Sequence, residues 1–168
     1  MDESGFYLLP FAGYTYAPKR QTPVLRHKLS HEHLSAISGI TRQGKLYIQV
    51  RETSLKGPNA VEFLAHLQKH IPGKIMVIWD GSSIHKGQAV KDFLKNGGSK
   101  RIHLELLPPY SPDLNPDEGV WQYLKCVCLK NVCCRDLKHL RNELNKAIRV
   151  LRSRKHIIES CFSRTKCT

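Results

Sequence analysis

Two acidic residues, Asp80 and Glu118, follow segments that would bring their carboxylates to the same edge of a sheet. Asp80 comes directly after the apolar run at residues 74–79, which predicts a buried strand. Its side chain should therefore emerge at the carboxyl end of that strand, where open α/β sheets bind ligands. Glu118 comes just after Asn115 and Pro116, which are typical of an N-cap and a first helical position. Carboxylate oxygens gathered in this way are the ligands that hard divalent cations prefer.

Each acid also has a purely structural interpretation. The pattern Asn115-x-x-Glu118 fits a capping box, in which the acid only accepts a hydrogen bond from the backbone of the capping residue. The corresponding interpretation of Asp80 is that it is a solvated residue at the end of a strand. Asp113 and Asp117 flank the same turn and would replace Glu118 as ligands if the helix began elsewhere, although Asp117 would point about 100° away from Glu118 on an ideal helix. These alternatives stay open on the residues alone.

Three segments of the chain together resemble one protein family: DESGF at 2–6, WDGSSIHKG at 79–87 and PPYSPDLNPDEGVW at 108–121. In this order they are similar to the mariner superfamily of transposases, in its bacterial insertion-sequence branch with a DDE catalytic domain. In that family an Asp in the first strand, an Asp after the fourth strand and a Glu on a later helix bind two metal ions. The matching positions are Asp2, Asp80 and Glu118. Gly81 departs from the Asn that is often found at its position.

The resemblance implies a ribonuclease H-like fold, with a mixed central sheet flanked by helices and additional C-terminal helices. It implies that Asp2, Asp80 and Glu118 are catalytic residues that hold two Mg²⁺ ions, and Mn²⁺ is expected to substitute. The implied reaction is cleavage of DNA phosphodiester bonds at transposon ends, followed by strand transfer to target DNA. Contacts with the substrate are expected from three further residues of the motifs, His85, Lys86 and Asn115.

Relatives in that family carry a helix-turn-helix region ahead of the catalytic domain and act as dimers that bridge two transposon ends. Only Met1 precedes Asp2 here, so we expect residues 1–168 to form a single catalytic domain truncated at its N-terminus. The expected partners are DNA, a second copy of the chain and an upstream transposase segment. The alternative is an inactive remnant that binds DNA without sequence preference and without catalysis.

The composition independently fits a nucleic-acid partner. There are 27 Lys and Arg residues against 14 Asp and Glu residues, a formal net charge of +13, which favours binding to polyanions. Residues 120–168 contribute 12 basic and three acidic residues. Leucine and isoleucine recur there at helical spacing, and basic residues occupy the other faces, so we predict a helix with one packed face and one face that meets phosphate or solvent. The basic residues are Lys138, Arg141, Lys146, Arg149 and Arg152.

The remaining pattern predicts alternating strands and helices. We expect a hairpin from strands at 33–41 and 45–52, a helix at 57–70, a helix from Ser82 or Ser83 to about Asn96, and a strand at 101–107. The helix at 57–70 should bury Val61, Leu64, Ala65 and Leu67. Trp121 is expected to anchor the Glu118 helix to the sheet, and Tyr110 to pack within its loop.

Length and cysteine usage complete the interpretation. A chain of 168 residues with 40% hydrophobic content suits one globular domain, and no run of 18 apolar residues or signal pattern occurs. We therefore expect a cytoplasmic protein. The six cysteines lack the spacing of a zinc site, so they are predicted to be buried apolar residues or inert thiols.

Overall fold

Strands and helices alternate in the computed structural model, which describes residues 1–26 and 30–164 and has a mixed α/β architecture. The strands are β1 (Asp2–Tyr7), β2 (His33–Ile40), β3 (Leu46–Arg51), β4 (Ile75–Trp79) and β5 (Ile102–Leu106). The helices are α1 (Gly57–His70), α2 (Ser83–Lys86), α3 (Gln88–Lys95), α4 (Asp117–Tyr123), α5 (Leu137–Ser153) and α6 (Lys155–Arg164). Short 3₁₀ turns lie at Gly98–Lys100 and Pro112–Leu114, and a π-helical segment at Leu124–Cys128 continues α4.

The first three strands form an antiparallel sheet in the order β1-β2-β3. Asp2 lies opposite Ser38, and Tyr7 lies opposite His33. The predicted hairpin between β2 and β3 is confirmed. Its turn closes where the Thr41 N–H donates to the Lys45 carbonyl at 3.0 Å, and Gly44 takes the left-handed conformation (φ 72°) that this turn requires.

Strands β4 and β5 form a second, parallel sheet, in which Trp79 lies opposite Leu106. The single mixed sheet that the resemblance implied is therefore hydrogen-bonded as two sheets. They meet where the Met1 nitrogen donates to the Ile78 carbonyl at 2.8 Å. This contact brings the start of β1 beside the end of β4, so the residues that follow each point are close together.

Strand β4 lies where the apolar run predicted it, but only one of its faces is buried. Ile75, Val77 and Trp79 pack in a core cluster with α1 and α3, whereas Met76 and Ile78 remain 64% and 47% exposed. Side chains alternate between the two faces of a strand, so burial follows the helices that cover each face and not the hydrophobicity of the residue. The prediction of a buried strand is therefore confirmed for one face and wrong for the other.

Two helix predictions need adjustment. Helix α1 has the predicted bounds and buries Leu64 and Leu67, but Ala65 is exposed. The single helix expected from Ser82 or Ser83 to Asn96 is instead two helices, because Gly87 adopts an extended conformation (φ −67°, ψ 160°) between α2 and α3. Gly97 ends α3 in a left-handed conformation (φ 106°), as the Gly97-Gly98 pair indicated.

The C-terminal helices complete the second core cluster. Helix α5 buries the face that its periodicity predicted, and it packs with residues of β1, β2 and α4. The Asp136 carboxylate caps α5 by accepting a hydrogen bond from the His139 N–H at 2.7 Å. Cys134 and Cys161 are buried, the other described cysteines are partly buried, and Cys167 lies outside the described residues. None of the described helices has the length and apolarity needed to cross a membrane.

Candidate active site

A cleft of about 690 Å³ lies at the carboxyl ends of β4 and β5. The structure brings the three predicted acids together on its wall, although they come from β1, from the residue after β4 and from α4. Among the predicted substrate-contacting residues, Lys86 and Asn115 also line the cleft, and His85 does not. The lining residues that bear on its chemistry are Asp2, Asp80, Glu118, Lys86, Asn115 and Tyr110.

Asp2 is the most buried of the three acids, with 6% of its surface exposed. The Trp121 indole N–H donates to Asp2 Oδ2 at 3.0 Å, and this contact confirms that Trp121 anchors α4 to β1. Burial raises the pKa of Asp2 to about 6, and the negative charges of Asp117 and Glu118 add to this effect. The hydrogen bond from Trp121 acts in the opposite direction but is outweighed. A cation in the cleft would relieve this cost of ionisation.

Asp80 directly follows β4, and its side chain is about half exposed. The Ser82 N–H donates to Asp80 Oδ1 at 3.0 Å. Nδ1 of His85 lies 2.9 Å from the same Oδ1 and 3.0 Å from the Asp80 carbonyl oxygen. The short turn between β4 and α2 therefore holds one oxygen of this carboxylate through two contacts.

Glu118 is exposed on the first turn of α4 and faces the cleft. The helix begins at Asp117, one residue later than predicted, with Pro116 at the N-cap. Asn115 still contributes to capping, because its Oδ1 accepts from the Asp117 N–H at 3.2 Å. The Asn115 N–H donates instead to the Pro112 carbonyl at 2.9 Å, so it is not paired with Glu118 as a capping box would require.

The two alternative acids lie elsewhere. Asp117 is completely buried, accepts a hydrogen bond from Ser38 Oγ at 2.5 Å and pairs with the Met1 amine at 2.9 Å. Successive helical residues are about 100° apart, so Asp117 points into the protein while Glu118 points into the cleft. Asp113 is exposed in the preceding 3₁₀ turn and does not line the cleft.

His85 is buried instead of lying on the cleft wall. Its ring stacks on Trp79 at 4.0 Å between centroids and 8° between planes. Nε2 lies 2.7 Å from Glu3 Oε1, while Nδ1 faces Asp80. Burial lowers the pKa of His85, but the hydrogen bonds and charges of Glu3 and Asp80 outweigh it, so the net direction is upward. The imidazolium form donates from both nitrogens and thus satisfies both acids.

Glu3 is a site residue that the sequence analysis missed. It stands next to Asp2, but side chains alternate along a strand, so the two acids of the Asp2-Glu3 pair point in different directions. The available signal was a second acid directly beside a predicted ligand. Tyr110 was expected to pack in its loop, and that prediction was wrong. It is fully exposed at the cleft, with a left-handed backbone (φ 56°).

The arrangement combines an acidic wall with a nearby cation. Oxygen atoms of Asp2, Asp80 and Glu118 are available for a hard metal ion, and the Lys86 ammonium on the same cleft is available for an anion. Among the described residues, the close group of possible metal ligands is Glu3, Asp80 and His85, and not the three predicted acids. The ligand atoms of this group all lie within 4.8 Å of one another. The three predicted ligands are thus more widely spaced.

Comparison with solved structures identifies a shared fold. The chain is similar to the Mos1 strand transfer complex, with a TM-score of 0.62 and 17% identity over 99% of this chain and 54% of that chain. It is similar to the mariner Mos1 paired-end complex with Mg, with a TM-score of 0.63, 18% identity and coverage of 98% and 54%. For the catalytic domain of Mos1 mariner transposase the TM-score is 0.53 at 15% identity, with coverage of 83% and 78%.

The chain thus spans about half the length of the longer transposase chains that it matches. No curated protein matches it in sequence. The model of one family, described as DDE superfamily endonuclease, matches residues 1–141. This match begins before the strand that carries Asp2 and continues past the helix that carries Glu118, so the chain belongs to the DDE superfamily of endonucleases.

Proposed function

We propose that this chain is the catalytic domain of a mariner-type DDE transposase, which cleaves DNA phosphodiester bonds and transfers the cut strand to target DNA. The observation that carries the proposal is the common cleft of Asp2, Asp80 and Glu118, which come from three distant parts of the chain. The family match and the likeness to the Mos1 strand transfer complex support it.

The donor chemistry of the cleft fits divalent metal ions. Asp2, Asp80 and Glu118 offer carboxylate oxygens, which are the ligands of Mg²⁺ and Mn²⁺. Burial raises the pKa of Asp2, and a bound cation would offset this cost of ionising it. Similar structures include Mos1 paired-end complexes with Mg and with Mn. We therefore propose that these three residues hold two such ions. Bound ions of this kind supply charge neutralisation for the phosphate and activate an attacking oxygen.

The other residues of the site have supporting roles in this proposal. The Trp121 indole fixes the orientation of the Asp2 carboxylate, and the Ser82 N–H fixes that of Asp80. The Lys86 ammonium stands on the cleft wall, where it would bind a DNA phosphate. The Asn115 side chain holds the first turn of α4 and so sets the direction of Glu118. His85 is enclosed, which favours a role behind the carboxylates over direct contact with the substrate.

Several broader features belong to the same proposal. The contact between Met1 and Ile78 places β1 beside β4, so the strands follow one another in the order β3-β2-β1-β4-β5. This order is consistent with a ribonuclease H-like fold. We propose DNA as the substrate, a homodimer that bridges two transposon ends, and a cytoplasmic location. The bacterial insertion-sequence branch and completion by an upstream transposase segment stay predictions.

The test is nicking of supercoiled plasmid by the purified chain with Mg²⁺ or Mn²⁺. We expect the wild-type chain to nick the plasmid only when the metal is present, and Asp80→Asn to lose the activity because a neutral amide is a poor metal ligand. Asp92→Asn, which changes an exposed acid on α3, is the matched control and should nick like the wild type. Equal nicking by Asp80→Asn would contradict the assignment. A folded wild-type chain that binds DNA without nicking would favour the inactive remnant.

A further inference from the structure

The His85 ring lies between two carboxylates that approach it from opposite sides. Nε2 is 2.7 Å from Glu3 Oε1. On the other side, Nδ1 is hydrogen-bonded to the Asp80 main-chain carbonyl at 3.0 Å and lies 2.9 Å from Asp80 Oδ1. The ring has no exposed surface, and stacking on Trp79 restricts its rotation. The ring nitrogens are shielded from bulk water, although the Asp80 carboxylate is about half exposed, so the ring offers both acids a fixed partner.

Among the residues that the structure describes, these three side chains are also a group of potential metal ligands whose ligand atoms all lie within 4.8 Å of one another. The geometry argues against a metal ion among them. Glu3 and Asp80 contact different nitrogens of His85, and each of the two contacts has the length of a direct hydrogen bond. An ion held by both acids and the ring would have to lie on one nitrogen only. A row of direct polar contacts fits better, with Glu3 at Nε2 and the carbonyl and carboxylate of Asp80 at Nδ1.

The row of contacts Glu3–His85–Asp80 ends on Asp80, which the proposed function assigns to metal binding. The contacts from His85 and from the Ser82 N–H both use Oδ1 of Asp80, which leaves Oδ2 for a ligand in the cleft. At its other end the row starts on Glu3, the neighbour of Asp2 on β1. It therefore links the strand that carries one ligand to the turn that carries another.

We propose that Glu3 and His85 are positioning residues that orient the Asp80 carboxylate for metal binding and set its distance from Asp2. The inference rests on the proposed function of the cleft. Partners that orient metal ligands from behind usually change metal affinity by about 10- to 100-fold when they are replaced. Glu3 and His85 should therefore act on the concentration of metal needed and much less on the rate once the site is saturated.

The two tryptophans of the chain provide a readout that does not need activity. Trp79 stacks on His85, and Trp121 donates to Asp2, so both indoles touch the site. We would titrate the wild-type chain with Mn²⁺ alone and follow quenching of tryptophan fluorescence. The variants are Glu3→Gln, which keeps the shape of the side chain, and His85→Phe, which keeps the stacking ring and removes both hydrogen bonds. Plasmid nicking would be measured across the same Mn²⁺ concentrations.

We expect the Mn²⁺ midpoint to rise about 10- to 100-fold in both variants, with nicking at saturating Mn²⁺ within about threefold of the wild type. A matched control is the exposed pair His103 and Glu105, whose side chains are 2.6 Å apart on β5. His103→Phe and Glu105→Gln should leave the midpoint unchanged. Circular dichroism would establish that each variant is folded, and the isosteric Glu3→Gln keeps the test decisive if His85→Phe does not fold.

The outcomes separate this inference from the function on which it rests. Folded variants with the wild-type midpoint would overturn the positioning role and leave the metal-dependent nuclease intact. A raised midpoint in a chain that does not nick DNA would support the positioning role while contradicting the catalytic proposal. A wild-type chain that neither responds to Mn²⁺ in fluorescence nor nicks the plasmid would overturn both.

Discussion

Asp2 is costly to ionise within the fold, and ionisation is what its proposed role as a metal ligand requires. Its carboxyl group is buried near two other acids, and hydrogen bonds from the Trp121 indole and the Glu3 backbone compensate only part of the cost of its charge. A cation bound beside Asp2 would therefore stabilise its ionised form. Glu118 differs, since it is exposed and gains its position from the helix to which it belongs.

The raised pKa of Asp2 predicts an unusual pH dependence of stability without metal. Between its unfolded value of 3.8 and about 6, the folded chain holds the proton more tightly than the unfolded chain, so Asp2 makes the free energy of unfolding fall as the pH rises. The full effect corresponds to about 3 kcal/mol. Metal binding displaces the proton, so the increase in melting temperature caused by Mg²⁺ should be larger at pH 7 than at pH 5. In Asp2→Asn this increase should be lost at both pH values.

Replacement of Glu118 tests the third proposed ligand. Glu118→Gln should abolish Mg²⁺-dependent nicking and leave DNA binding at low salt unchanged, because the amide keeps the size of the side chain and loses its charge. The control is Asp113→Asn, which alters a nearby exposed acid outside the cleft. Nicking by Glu118→Gln at the original rate would show that another residue completes the metal site.

Among the elements, helix α4 determines most of the site geometry. Its first residues send Asp117 into the core and Glu118 into the cleft, and Trp121 fixes Asp2. Gly119 lies between them, where α4 approaches α6. A Cβ atom added to Gly119 would lie 2.7 Å from Sγ and 3.1 Å from Cβ of Cys161, closer than such atoms normally come.

This close approach predicts that Gly119→Ala destabilises the fold. Alanine is favoured over glycine in a helix by about 1 kcal/mol, but the collision with a buried cysteine should outweigh it and give a net loss of about 1–3 kcal/mol. Urea unfolding measures the effect. Adding Cys161→Ala should recover part of the loss, since that change removes the nearer of the two atoms. A Gly119→Ala chain as stable as the wild type would show that α4 and α6 separate easily.

The cap of helix α5 provides a second test at this scale. Asp136→Ala removes the acceptor for the His139 N–H and should cost about 1 kcal/mol of unfolding free energy. Asp136→Asn keeps an acceptor oxygen at the same place and should lose only a small part of that amount. If both changes have the same effect, the charge of Asp136 matters more than its hydrogen bond.

For the molecule as a whole, some of the basic residues that give the positive net charge make contacts within the protein. On α5, Arg141 pairs with Glu52 at 3.2 Å, and Arg152 donates to the Leu46 carbonyl at 3.3 Å, so both tie the helix to the β3 region. Lys146 pairs with Glu143 on the same helix. Arginines in such contacts are less available to a phosphate. Fewer basic side chains of α5 are therefore free to contact phosphate than its sequence indicated.

The net charge still predicts DNA binding that weakens steeply with salt. If the chain contacts about five phosphates, the logarithm of its DNA affinity should fall with the logarithm of the salt concentration with a slope of about −4.5. Fluorescence anisotropy with a duplex between 50 and 200 mM NaCl would measure it, and Lys138→Ala should reduce the slope by about one if that exposed residue contacts a phosphate. A slope near zero would contradict a mainly electrostatic interface.

Local patterns in the sequence determined most of the elements. The bounds of α1, the β2–β3 hairpin and the buried face of α5 follow from hydrophobic period and turn residues, which depend only on neighbours in the chain. The same information places Asp80 at a strand end and Glu118 on a first helical turn. It also determined the family resemblance, because the three motifs lie in short continuous segments.

Only the tertiary structure decided how these parts meet. Which face of β4 is covered, and how the two sheets join beside Met1, depend on elements far apart in the chain. The contact of Glu3 with His85 joins residues 82 positions apart, and the contact of Trp121 with Asp2 joins residues 119 apart. Periodicity reports on residues within a few positions of one another, whereas burial and hydrogen bonding at the site depend on packing between distant segments. The three proposed ligands could thus be picked out of the sequence, but the Glu3 side chain and the contacts that orient these acids could not.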